Sequence, residues 1–329
     1  MALRGINYDV GTRTGRYLSR VAFDLDETRR DLTVIRDELH CDAVRVSGTD
    51  SQRLLAATEI ALELGLEVWL SPQVHDADAD ETLANAVALA RAAEELGSRR
   101  IVFLVGCELT LFMRGILKGD TLAERLRPQQ LLRMRLLGAH NKPLNAFLGK
   151  AAREVRAVFD GRVSYASAPI EKVDWAPFDF VCVDTYRGKR NRDDFGERFR
   201  RHLAYGKPVY ATEVGCCAYR GAEERGAMAW AILGPDGETL NGHYERDEEL
   251  QAREVLDLLR ILDAEGAAGA FVFTFAAPQL PYRADDPVRD LDLASYAVVR
   301  TFDDGHWEPK RLFHGLAARN GPRAGQDRP

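Results

Sequence analysis

Two glutamates follow segments that would bury a carboxylate at a cost. Glu108 comes directly after Val102-Phe103-Leu104-Val105-Gly106-Cys107, and Glu213 after Val209-Tyr210-Ala211-Thr212. A carboxylate placed there needs hydrogen bonds, a partner charge or a cleft open to water. Two that converge on one cleft can divide their roles, one kept protonated as a general acid and the other ionised as a nucleophile. A second group of residues falls at or near the ends of other strand-like segments and is expected to support them: Asp9, Arg45, His75, Asp184 and Tyr186. Tyr219 and Trp230, in the stretch after Glu213, could supply an aromatic wall. A plainer alternative stands beside each of these. Either glutamate could simply pair with Arg45, His75 could be an ordinary loop residue, and Cys107 has no histidine beside it in sequence to make it a nucleophile.

The positions of these residues depend on the elements that carry them. Strand-like segments run over Gly5–Gly11, Ala43–Ser47, Leu66–Ser71, Arg100–Val105, Arg162–Ala166, Phe178–Val183, Pro208–Thr212 and Gly269–Phe275. Between them lie helical patterns over Glu27–His40, Ser51–Leu64, Glu81–Leu96, a stretch ending near Phe159, Asp194–Tyr205 and Arg246–Glu265, with Ser51 expected to be the N-cap of the second. Pro169–Pro177 reads as a turn or a short helix. Eight strands alternating with crossovers predict an α/β fold, a (β/α)8 barrel with long loops after strands four, seven and eight. A doubly wound dinucleotide-binding sheet would need a glycine-rich phosphate turn, and Gly11-Thr12-Arg13-Thr14-Gly15 lacks that spacing. One barrel domain is expected over residues 1–317, with 318–329 as a disordered tail rich in Arg, Gly and Pro.

In a barrel the reactive residues lie at the C-terminal strand ends, which is where Glu108 and Glu213 fall. The loop after Glu108 carries Leu109, Leu111, Phe112, Met113, Ile116 and Leu117. That apolar surface could cover a site, receive an apolar aglycone, pack a partner or simply bury itself on the barrel rim.

Composition narrows the partners. The chain has 329 residues, 46% hydrophobic and 29% charged, with a net charge of −6. An acidic balance argues against nucleic acid. The absence of an apolar run of membrane-spanning length argues against a membrane. Five cysteines without a C-x-x-C spacing indicate neither a disulfide framework nor a zinc motif. With a strand following almost directly on Met1, a cytoplasmic setting and a small-molecule or carbohydrate partner are expected, with no cofactor.

Several of these motifs resemble those of the clan A retaining glycoside hydrolases. Gly106-Cys107-Glu108 resembles that family's acid/base strand end, and Thr212-Glu213-Val214-Gly215 its nucleophile strand end. Arg45 in Val44-Arg45-Val46 matches the strand-two arginine near the nucleophile, and Tyr186 the strand-six tyrosine that contacts it. Trp307 to Leu316 resembles the segment that often closes these barrels. The resemblance implies Glu108 as acid/base and Glu213 as nucleophile, acting on a glycoside or glycosylated small molecule. Two departures accompany it. Cys107 replaces the usual Asn, which commonly bonds the sugar 2-hydroxyl, and Thr274-Phe275 stands where the family often has Trp. The alternatives are a metal-dependent sugar isomerase-like barrel using Glu108, Asp184, Glu213 and His75, and a non-catalytic binding barrel. Against the isomerase, no His-x-His follows the first strand and no Lys sits at a strand end.

Overall fold

Short apolar runs become the staves of the molecule. In the computed structural model, which describes residues 1–321, these strands are β1 Leu3–Asp9, β2 Ala43–Gly48, β3 Glu67–Pro72, β4 Ile101–Cys107, β5 Arg162–Ser167, β6 Val181–Asp184, β7 Val209–Val214 and β8 Gly269–Val272. All eight are parallel, each beside its neighbour in sequence, and β8 returns to β1 to close the barrel.

The crossovers include α1 Leu25–Asp37, α2 Ser51–Glu63, α3 Ala79–Glu95, and, after the loop elements α4 Leu109–Phe112, α5 Leu122–Arg125 and α6 Pro128–Leu137, the long α7 Asn141–Arg156. After β6 come α8 Phe195–Arg200 with a 3-10 turn to Tyr205. After β7 come α9 Ala222–Arg225 and α10 Glu248–Ala264. The segment between β5 and β6 stays in turns. Aspartates cap four of the long helices. For α2 the cap is Asp50 rather than Ser51, because the Asp50 carboxylate reaches the amides of Gln52 and Arg53.

Alternation along the strands sorts the core in two. Val44 and Val46 of β2 pack outward against helices, whereas Ala43 and Arg45 point inward. Inside, Trp69 plugs the barrel, its ring centroid 4.7 Å from Tyr210, 4.9 Å from Phe271 and 5.6 Å from Phe180. Gly5 on β1 makes room for this plug, since a Cβ there would lie 2.3 Å from the Phe271 ring.

Strict alternation fails at two strands. On β7, Ala211 pairs with Val183 but Glu213 pairs with Asp184, so Thr212 is an extra residue. On β4, Leu104 pairs with Ser164 and Cys107 with Ala166, again one residue more than the partner strand. Such bulges reverse which face the following side chain meets. They bring Cys107 into the interior beside Leu104 and turn Glu213 inward, where alternation from the inward Tyr210 would send it out.

After β8, an antiparallel pair Val299–Thr301 and Trp307–Pro309 precedes α11 Arg311–Asn320. The helix therefore extends past Ala318, where a disordered tail was expected to start. Its end is tied down: Asn320 donates to the Leu39 carbonyl at 2.7 Å and accepts from Arg4. Residues 322–329 of the expected tail lie outside the described residues. No helix among those described is long and apolar enough to cross a membrane.

Candidate active site

Glu213 is held at both carboxylate oxygens. Arg45 Nη1 donates to Oε1 at 2.8 Å, and the Tyr186 hydroxyl donates to Oε2 at 2.8 Å. Arg45 is itself clamped. Its guanidinium donates to Asn7 Oδ1 and to Ser71 Oγ, each at 3.2 Å, so β1, β2 and β3 fix the cation that faces β7. Tyr186 stays protonated, because burial and the adjacent Glu213 push its hydroxyl well above its ordinary range.

Beneath this pair lie Asp184 and Cys107. The Cys107 thiol donates to Asp184 Oδ2 at 3.3 Å, and Arg45 Nη1 stands 3.9 Å from Asp184 Oδ1. Burial, then the charge of Glu213, raises Asp184 to about 7, with Arg45 opposing the shift. Burial likewise keeps Cys107 a thiol. The residue that replaces the expected Asn is therefore turned toward a carboxyl group.

Glu108 occupies a different environment. Its carboxyl has no hydrogen-bond or ion-pair partner among the described residues, and the side chain is half-buried. Burial first, then the charges of Asp184, Glu213 and Glu171, hold its pKa well above the usual carboxylate range. Its backbone is left-handed, with φ 45° and ψ 40°, uncommon for a residue with a side chain.

Glu108 and Glu213 line one cleft of about 660 Å³ at the barrel mouth. Asp9, Tyr17, Trp230, Phe273 and Tyr296 line it with them. Asp9 accepts from the Gly11 amide at 2.8 Å, and burial raises its carboxyl. Arg45 and Asp184 sit under the floor and position what lies above.

Two of the expected residues are elsewhere. His75 lies behind the cleft wall: its ring stacks on Phe112 with centroids 3.9 Å apart, and its nitrogens bond Thr14 at 2.7 Å and Gln73 at 3.1 Å. Burial lowers it to about 4, so it is neutral near pH 7. Tyr219 is buried, with its hydroxyl donating to the Ala229 carbonyl at 2.8 Å, one residue before the exposed Trp230. The strand-eight aromatic in the cleft is Phe273, not Phe275, which is buried between Tyr8 and Trp307. The apolar loop after Glu108 mainly buries itself: Leu109 and Met113 join the core, and Phe112 faces the cleft. Sequence reading passed over Glu171, Tyr296 and Phe273. Glu171 lies in a stretch that reads as a turn and carries no sequence signal of its own.

A metal finds a poor site here. Cys107, Asp184 and Glu213 can each bring one ligand atom within 4.8 Å of the others. However, the Arg45 guanidinium is 2.8 Å from Glu213 and 3.9 Å from Asp184, so a cation already serves these carboxyl groups. His75 and Glu108 are not part of this cluster. The ligand set expected for an isomerase-like site is not assembled.

The sequence matches no protein-family model and no curated protein. Solved structures do resemble the fold. A GH113 β-1,4-mannanase is 15% identical with a TM-score of 0.62, covering 97% of this chain and 98% of that one. The GH113 β-mannanase AaManA from Alicyclobacillus acidocaldarius is 16% identical with a TM-score of 0.63, covering 97% and 96%. A fungal β-1,4-galactanase is 11% identical with a TM-score of 0.58, covering 96% and 99%. The chain thus shares the (β/α)8 barrel fold of these glycoside hydrolases.

Proposed function

We propose that the chain is a retaining glycoside hydrolase. The observation that carries this reading is the pairing across one cleft of two carboxyl groups in opposite environments, Glu213 bonded by Arg45 and Tyr186 and Glu108 unpartnered and desolvated. In the proposed reaction, Glu108 gives its proton to the glycosidic oxygen as a Glu213 oxygen attacks the anomeric carbon. The alcohol departs and a glycosyl ester remains on Glu213. Glu108, now a carboxylate, takes a proton from water, and that water releases the sugar and regenerates both groups.

Asp9 would accept sugar hydroxyls, and Trp230 and Phe273 would offer ring faces. Leu233, Leu280, Ala276 and Ala277 also line the cleft, an apolar wall suited to a glycosylated small molecule with an apolar aglycone. The mannanases and galactanase of similar fold add support for a carbohydrate partner. A cytoplasmic setting belongs to the same proposal and agrees with five free cysteines.

Hydrolysis of aryl glycosides with good and poor leaving groups tests the reading. Glu213→Ala should lose on the order of 10⁴-fold or more with every leaving group. Glu108→Ala should lose roughly 10²–10⁴-fold with poor leaving groups. With leaving groups that need no proton it should retain most of its rate and give a glycosyl azide of retained configuration with azide. Two active variants would refute the assignment.

A further inference from the structure

We propose that Glu171 and Tyr165 are positioning residues for Glu108, fixing the turn that aims its carboxyl into the cleft. The inference rests on the retaining-hydrolase reading and assigns residues that hold its acid/base. A left-handed conformation costs a residue with a Cβ about 1–2 kcal/mol, so surrounding contacts must determine it.

Those contacts come from β5 and the turn after it. Three successive amides are captured. The Glu108 N–H donates to the Ala166 carbonyl at 2.9 Å, and the Leu109 N–H donates to the Tyr165 hydroxyl oxygen at 2.7 Å. The Thr110 N–H donates to Glu171 Oε1 at 2.9 Å. The Tyr165 hydroxyl in turn donates a hydrogen bond to the Glu171 carboxylate, with oxygens at 2.8 and 3.0 Å, and the Ala168 N–H closes the set on Oε2 at 3.0 Å.

Tyr165 is fully buried, and Glu171 does not line the cleft. Between them the two side chains take up the two amides directly after Glu108 and tie them to each other and to the Ala168 amide. Glu171 also adds its charge to those of Asp184 and Glu213 around Glu108, opposed by Arg45, which helps keep Glu108 protonated. The arrangement therefore fixes the direction of the acid, and Glu171 adds a smaller contribution, after burial and the charges of Asp184 and Glu213, to holding its proton.

The two effects separate by mutation. Glu171→Gln keeps an acceptor for the Thr110 amide and removes the charge. Tyr165→Phe keeps the ring and removes the link to Leu109. Initial rates would be taken as kcat/KM on a phenyl and a 2,4-dinitrophenyl glycoside, with circular dichroism confirming folded protein. A displaced acid should lower the phenyl rate by about 10–100-fold and leave the dinitrophenyl rate nearly unchanged. Glu171→Gln should in addition move the alkaline limb toward lower pH and lower the titration midpoint of Glu108 read by ¹³C NMR of the labelled carboxyl. Equal losses on both substrates, or no loss on either, would overturn the proposal. If Glu108→Ala itself ignores the leaving group, the hydrolase reading fails; if it is selective and the Glu171 and Tyr165 variants are not, only the positioning role fails.

Discussion

Three carboxyl groups surround Arg45, and the guanidinium is not shared equally among them. Glu213 has the short contact, Asp184 the long one, and Glu108 has only the distant field. Asp184 thereby acts on Glu108 through its charge. Its anion disfavours a second anion nearby, so it helps Glu108 keep a proton. Asp184→Asn removes that charge while leaving an acceptor for Cys107. The sign follows directly: Glu108 loses its proton more readily, and the alkaline limb of kcat/KM should move to lower pH. An unmoved limb in a pH–rate profile would mean that Glu108 does not sense Asp184. At this scale the sequence was legible where a charged residue ended an apolar run, as at Glu108 and Glu213, or interrupted one, as Arg45 does between Val44 and Val46. It was not legible where exposure decides. His75 and Tyr219 have suitable chemistry, but a stacked ring and a backbone carbonyl take them out of the cleft.

At the level of elements, the strands could be read because runs such as Val209 to Val214 are short, apolar and bounded by turns. The two bulges could not, since one extra residue changes facing without changing composition. The loop after β4 was likewise readable as apolar, but not as a structure built around a buried arginine. Arg125 is fully buried, pairs with Asp76, and donates to the carbonyls of Leu111 at 2.6 Å, Gly119 at 3.2 Å and Phe112 at 3.2 Å. Removing it leaves the Asp76 carboxylate and the carbonyls of Leu111 and Gly119 without this donor, and the Phe112 carbonyl with the Asp76 amide alone. Arg125→Ala should destabilise this loop by about 3–5 kcal/mol. Hydrogen exchange should rise sharply over residues 108–127 while the barrel strands keep their protection. Uniformly increased exchange, or none, would show that the loop does not depend on Arg125.

The whole molecule turns these local features into a reaction geometry. In the closed ring β5 and β6 lie between β4 and β7, so the ends bearing Glu108 and Glu213 open onto one cleft. The fold was legible from eight strand signals and their crossovers, and the structural likeness to mannanases extends over nearly the full chain. Product stereochemistry is the consequence of the proposed assignment that can be measured most directly. In the proposed reaction Arg45 and Tyr186 keep Glu213 ionised, and the single hydrogen bond that each makes leaves a lone pair free on both Glu213 oxygens. A retaining reaction uses one of them to form an ester. The first-formed sugar from a hydrolysed glycoside, followed by ¹H NMR of its anomeric proton before mutarotation, should have the configuration of the substrate. A first product of inverted configuration would contradict the assignment of Glu213 as nucleophile and Glu108 as its acid/base.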